Sequence, residues 1–308
     1  MTLRTIGQRL VVAITVLWGV ATLVFVILRL LPGDPAALML SEAGASAEEI
    51  AQLRADLGLD KPLIVQYGQY LMDLAHGDLG TSLYAHRPVV TIIAEQLPST
   101  IGLALAAMLI ATVLGAALGI VAAVKAGTWI DSAATTLSVT GVSVPIFWSG
   151  LLLIWLFSLR LGWLPATGQG GLDHLILPAL ALGLASSAAI ARLVRASLLE
   201  VLDQDFVRTA RAKGLREGMI LFRHALKNAL IPVVTIIGLQ FGFLLGGTVV
   251  TEPVISRQGI GRLLVNSILW KDLPVVQGVV LLAGLVYTVV NITVDVTYAF
   301  LDPRIRYD

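Results

Sequence analysis

The sequence contains no cysteine and little charge. Asp, Glu, Lys and Arg make up 13% of its 308 residues, about half the usual share of a soluble domain. Without cysteine there is no disulfide framework and no thiolate metal site, and nothing marks a redox compartment. The four histidines (His76, His86, His174, His224) are scattered, and no H-E-x-x-H spacing sets two of them on one helical face. No G-x-S-x-G elbow presents a nucleophilic serine. No glycine is followed by lysine, so the loop that would hold ATP phosphates is missing. These absences leave no catalytic residue, no metal ligand and no cofactor site to assign.

Apolar length is what the chain has in abundance. Hydrophobic residues make up 57% of it and mean hydropathy is +0.87, which places it among membrane proteins. Six runs are long enough to cross a bilayer: Leu10–Leu31, Ser99–Val124, Ala133–Leu159, His174–Val194, Ala229–Val250 and Val275–Phe300. The expected fold is therefore all-α, with about six transmembrane helices. The first run is too long for a secretory signal core and no small-x-small site closes it, so it reads as a retained anchor. The expected organisation is an anchor over 1–31, an extracytoplasmic segment over 32–98 and a core over 99–308.

Lysine and arginine set the expected orientation. With the N-terminus inside, the inner segments hold Arg4, Arg9, Lys125, a dense group from Arg192 to Lys227, and Arg304 and Arg306. The outer segments carry fewer basic residues per length, and both termini fall in the cytoplasm. In the long outer segment, Ser46 and Glu49 form a capping-box pair before a helix that Gly58 closes. Leu63–Ala75 reads as a second helix on the membrane face and Pro88–Gln96 as a third. These either cover the bundle or dock an external partner.

Small residues recur every four positions within the spans. Ala107, Ala111, Gly115, Gly119 and Ala123 form one stripe, Ala179, Gly183, Ser187 and Ala191 another, and Gly238, Gly242 and Gly246 a third. Such stripes let helix backbones approach closely. Ionisable residues deep in a span are rare and functional by default; Asp295 is the main one, placed near the inner end where a hydrogen-bonding role suits it. The scarcity of buried charge argues against a proton- or sodium-coupled carrier.

One polar stretch interrupts this pattern. DFVRTARAKGLREGMILFRHALKNALIP, Asp205–Pro232, holds Arg208, Arg211, Lys213, Arg216, Arg223, Lys227 and His224. It predicts a short helix from about Asp203, ended by Gly214, on the inner side between the fourth and fifth spans. Glu200, Asp203, Asp205 and Glu217 interrupt its positive charge, which suits protein docking better than an anionic lipid surface.

This stretch resembles the EAA loop of membrane subunits of ATP-binding-cassette importers, whose pattern is E-A-A, three residues, Gly, nine residues, then I-x-L-P. Arg208, Thr209 and Ala210 occupy the E-A-A places and Gly214 the glycine; Leu215 to Arg223 make the nine, followed by His224-Ala225-Leu226-Lys227. Ala210, Gly214 and Leu226 keep the general residues. RTARAKG with RHALKNALIP is similar to the variant of the dipeptide, oligopeptide and nickel branch. RLLPGDPA, LGLDKPLIVQYGQYL, GDLGTS, LPST, GVSVPIFW, WLPATGQGG, HLILPALALG, GGTVVTEPVISRQGIGRLL and DPRIRY extend the likeness over nearly the whole chain, to the first of that branch's two permeases. Ile255-Ser256-Arg257-Gln258-Gly259 departs from it, since relatives often carry an aromatic and a proline there.

The resemblance implies the permease subunit of an ATP-driven, binding-protein-dependent importer in a prokaryotic plasma (inner) membrane. Its implied partners are a second homologous permease, one or two ATPase subunits, an extracytoplasmic solute-binding protein and the lipid bilayer, with no nucleic acid. ATP and Mg would sit on the ATPase subunits. The implied coupling residues are Asp205, Arg208, Thr209, Ala210, Arg211, Lys213, Gly214, His224 and Leu226, within a loop over about 203–227; no residue is assigned to the path itself. The implied substrate is a di- or oligopeptide, with glutathione, nickel chelates or another small solute as alternatives. An ATP-independent channel or carrier is the more distant reading.

Overall fold

Long apolar runs in a bilayer must satisfy every backbone group internally, so they become helices. The structure, a computed structural model, describes residues 3–30, 46–56 and 58–301, and among them every regular element is helical. Five helices are long and apolar enough to span a membrane, six if one bent pair counts as a single span. The chain divides into two compact units.

One unit takes the chain up to Pro98 together with Leu263–Thr288. Its first helix, α1 (Leu3–Leu30), carries the short α3 (Leu63–Ala75) through aromatic contacts. Phe25 lies 5.2 Å from Tyr67 and 5.5 Å from Tyr70, and the Thr22 hydroxyl is 2.6 Å from that of Tyr67. Between them α2 (Ala47–Asp56) ends as Gly58 turns to φ +63°. There Leu59 N–H reaches back to the Arg54 carbonyl at 2.9 Å, a glycine-closed helix end. Asp272 straps down the loop before the next helix, accepting from Ser82 Oγ at 2.5 Å and Leu83 N–H at 3.1 Å, while Tyr84 stacks on Trp270 at 4.2 Å.

The short helix expected over Pro88–Gln96 is instead the start of α4 (Val89–Val124), which runs unbroken through Pro98 into the second span. A proline deletes one ladder bond without ending a helix whose other bonds have no water to compete with them.

The other unit takes Ser99–Arg262 and the chain from Val289. At its centre is α7 (Asp173–Leu202), with fifteen of its residues buried. It packs on the rest of α4 and on α11 (Ile231–Val254) through Leu103, Ala107, Ala179, Leu182 and Leu244, then through Ala111, Ile190, Val194 and Val233. The small-residue stripes explain the closeness. A Cβ on Gly115 would lie 2.6 Å from the Ser187 carbonyl, one on Gly119 2.6 Å from that of Ala191, and one on Gly183 2.9 Å from that of Ala107. The α4 and α7 stripes are each other's partner. Gly238 does the same toward Val294, where a Cβ would meet the side chain at 1.9 Å.

The third apolar run differs from the straight span expected over Ala133–Leu159. It forms α5 (Trp129–Ser143) and α6 (Ile146–Leu153, continuing as a π-helix over Ile154–Arg160), bent by 102° between Gly141 and Ile146. Pro145 is the cause, since it has no N–H to continue the ladder and forces its predecessor out of the helical region. Val144 is extended at φ −86°, ψ 125°.

Candidate functional site

The polar stretch after α7 folds into a compact loop with its own small core. Helix α8 (Asp205–Ala212) presents Val207 and Ala210 inward against Ile220, with Leu202 and Leu215 around them. Its chain then turns through Gly214 at φ +76°. Gly214 N–H donates to the Arg211 carbonyl at 2.9 Å and Leu215 N–H to that of Ala210 at 3.3 Å, closing the last turn as helix ends do. Beyond it, Glu217–Met219 (α9), a π-helical turn over Ile220–Ala225 and Leu226–Ala229 (α10) lead back to α11. Ala225 and Ala229 pack there on Leu198 and Val201 of α7 and on Ala123 of α4.

The residues singled out from the sequence divide between two faces. Asp205, Arg208, Thr209, Arg211, Lys213 and Gly214 are exposed, whereas Ala210 is buried and His224 and Leu226 are half-buried. Two arginines are held by neighbouring acids. Arg208 lies 2.9 Å from Asp203 and 3.8 Å from Asp205, and Arg211 grips Glu217 through two nitrogens at 2.8 and 3.3 Å. The Arg211 hydrogen bond holds the Glu217 carboxyl below the ordinary range for glutamate. The helix therefore shows a largely charge-compensated surface in which Lys213 has no ion pair among the described residues.

At the other end of the same unit, three stretches that are far apart in sequence meet. Glu252, at the end of α11 and fully buried, accepts from Thr100 Oγ1 at 2.7 Å, Gly261 N–H at 2.8 Å and Arg262 N–H at 3.2 Å. Thr100 Oγ1 in turn accepts from Ile260 N–H at 2.8 Å. The N–H groups that open α12 (Ile260–Leu269) are thus satisfied by a buried carboxylate and a hydroxyl. Gly259 has to be glycine here, because a Cβ would lie 2.2 Å from a Glu252 oxygen. Gln169 donates to Ser99 Oγ at 3.2 Å and to the Gln258 carbonyl at 3.3 Å, and Gly168 N–H donates to the Ile255 carbonyl at 3.2 Å.

The departure at 255–259 finds its place in this cluster. Ile255 is buried against Ile154 and Leu177, filling apolar space. Ser256 takes a positive φ of 53°. Arg257 is buried beside Glu252, and burial pulls its guanidinium pKa down.

A third polar contact joins α5 to α7. Arg195 grips Asp131 through two nitrogens, each at 2.7 Å, and Gly127 N–H adds a bond to the same carboxylate at 3.0 Å. Neither this pair nor the Glu252 cluster was read from sequence as a site. The signal for the second lay in LPST and EPVISRQGIGRLL as separate stretches, and nothing local joins them. The side chain of Asp295 lies outside the described residues. No group of three or more metal-ligating side chains occurs among the described residues.

The family described as binding-protein-dependent transport system inner membrane component matches residues 115–307, and its N-terminal counterpart matches residues 2–104. The chain belongs to this family. It is 46% identical to the putative peptide transport system permease protein of Brucella abortus (strain 2308), covering 98% of each chain. It is 47% identical to the glutathione transport system permease protein GsiC of Salmonella typhimurium (strain LT2), covering 99% of each. Among solved structures, the inward-facing MetNI methionine ABC transporter aligns with a TM-score of 0.58 at 17% identity, over 69% of this chain and 97% of that one, which speaks for the fold. This protein is a membrane permease subunit of a binding-protein-dependent importer.

Proposed function

We propose that the permease imports di- or oligopeptides as one half of a path completed by a second, homologous permease. The observation that carries this is identity of 46–47% along the whole chain to permeases named for peptide and for glutathione transport. Glutathione is itself a small peptide, so the two relatives point to one substrate class. A solute-binding protein delivers the peptide outside, and ATPase subunits bind ATP and Mg inside. The chain catalyses nothing itself, and both of its termini are cytoplasmic.

The loop from Asp203 to Lys227 is the ATPase dock. Its own small core of Val207, Ala210 and Ile220 supports this reading, since force between chains is carried by elements that move as bodies. Asp205, Arg208, Thr209, Arg211, Lys213 and Gly214 face the partner; Ala210 holds the helix to its base, and His224 and Leu226 root the loop.

The test is reconstitution in proteoliposomes with the second permease, the ATPases and the binding protein. Uptake of a labelled dipeptide, a pentapeptide, glutathione and a nickel chelate is measured with and without ATP. Peptide uptake that requires both ATP and binding protein is expected. Uptake by the permeases alone would establish the channel or carrier reading, and exclusive uptake of the nickel chelate would overturn the peptide class.

A further inference from the structure

The bend between α5 and α6 lies halfway along an apolar segment of span length. Pro145 offers no N–H, so the Gly141 carbonyl loses its helical donor. Among the described residues, no backbone N–H outside the regular helices pairs with the carbonyls of Gly141, Ser143 or Val144. Lipid tails supply no donor either, and non-helical backbone at membrane depth persists only when buried in protein or facing water. The back of the bend is buried in protein: Gly141 approaches the Leu184 carbonyl of α7, and Ile146 packs on the Leu103–Leu182–Leu244 core. Its front is open, with Ser143 and Pro145 exposed.

The helix leading to the bend has an unusual outer face. Asp131, Ala134 and Ser138 are buried on one side of α5; its exposed side mixes the apolar Trp129, Leu137 and Val139 with four hydroxyl residues, Ser132, Thr136, Thr140 and Ser143. At 100° per residue, these four fall within about 80° of one another, opposite the buried side. A lipid-facing helix turns apolar side chains outward. Next door α6 does so, exposing Phe147, Trp148, Leu151 and Trp155. Two of the α5 hydroxyls spend their protons inside the helix, Thr140 Oγ1 on the Thr136 carbonyl at 2.9 Å and Ser143 Oγ on that of Val139 at 3.1 Å. What they present outward is oxygen lone pairs, continuous with the open carbonyls of the bend.

We propose that the α5 hydroxyl face and the open bend before Pro145 are this chain's wall of the translocation path, and that they receive the ammonium and amide N–H donors of an extended peptide. A surface of hydroxyls and carbonyls without fixed charge binds donors weakly and at many points. That suits a passage rather than a store. The wall follows from the geometry, while the peptide as occupant rests on the function proposed above.

The absence of cysteine makes the test direct. In the complete reconstituted importer, with cysteine-free partner subunits, single cysteines replace Thr136, Thr140, Ser143 and, as a flanking apolar control, Leu137. A small cationic methanethiosulfonate is applied with and without vanadate-trapped nucleotide, and each variant is compared with its own unmodified rate. Cysteines at 136, 140 and 143 should react at least tenfold faster than that at 137, at rates that change at least threefold on trapping. The attached group should stop uptake while ATP hydrolysis continues. Reaction no faster than at 137, or full uptake after complete modification, would overturn the wall. Zwitterionic peptides should slow modification of Ser143→Cys more than their N-acetylated forms. If the wall reacts as expected but no peptide protects it, the wall stands and the peptide as its occupant falls.

Discussion

Gly214 turns at φ +76°, where an L side chain is strained, yet a Cβ there would meet nothing of its own chain within 4 Å. Backbone conformation and partner contact can therefore be separated by choice of substituent. Asn tolerates the left-handed region, whereas a β-branched residue loses about 1 kcal/mol or more there. If the glycine serves only the turn, Gly214→Asn should keep assembly and Gly214→Val should weaken it. If an ATPase backbone packs against it, both should release the ATPase subunits, as should Gly214→Trp. Co-purification of those subunits reads the difference. Glu252 makes the opposite case, a side chain with every need met internally. Glu252→Ala would orphan buried donors at Thr100, Gly261 and Arg262, at about 1–3 kcal/mol for each left unpaired. A lower Tm of the purified protein in detergent is expected, and an unchanged Tm would count against the cluster's structural weight.

Between helices, closeness and charge hold different joints. The α4–α7 seam depends on missing side chains, so Gly115→Val pushes branched carbon into the Ser187 carbonyl and Ile190. Overpacking of this kind destabilises by roughly 1–3 kcal/mol, and the expected result is a lower Tm with insertion intact. The α5–α7 joint depends on the two-toothed Asp131–Arg195 pair. Asp131→Asn and Arg195→Met should each lower Tm, and the double variant should be no worse than the more damaging single one. Simple additivity of the two losses would show that the partners do not act together.

Across the whole molecule, α7 is the long connection within its unit. Its 30 residues span about 45 Å at the helical rise, from the Gln169–Glu252 end to the base of the Asp203–Lys227 loop. The proposed function puts these ends on opposite sides of the membrane, and this is open to direct test. A cysteine at Ser46 should react with an impermeant thiol reagent in right-side-out vesicles, and one at Thr209 only after permeabilisation. Labelling of Thr209→Cys from outside would reverse the orientation. The isolated chain should hydrolyse no ATP, because no phosphate loop exists to hold it; hydrolysis that survives removal of contaminating ATPases would contradict that.

Composition and local pattern by themselves determined the membrane class, five of the six long apolar helices and the position of the polar loop with its closing glycine. Each depends on residues within a turn or two, or on an apolar run that must hydrogen-bond to itself. The small-residue stripes were legible too, but not which stripe meets which, since every stripe suits any close neighbour. Pro98 and Pro145 show the boundary most clearly: both interrupt apolar sequence, yet one is carried through α4 and the other ends α5. Propensity penalises the two alike, and only the packing around each chain segment decides between continuing and bending. The pairing of Glu252 with Thr100, 152 positions away, and of Arg195 with Asp131 belongs to tertiary structure for the same reason. A carboxylate's sequence neighbours say that it needs donors, and only the fold says where they are.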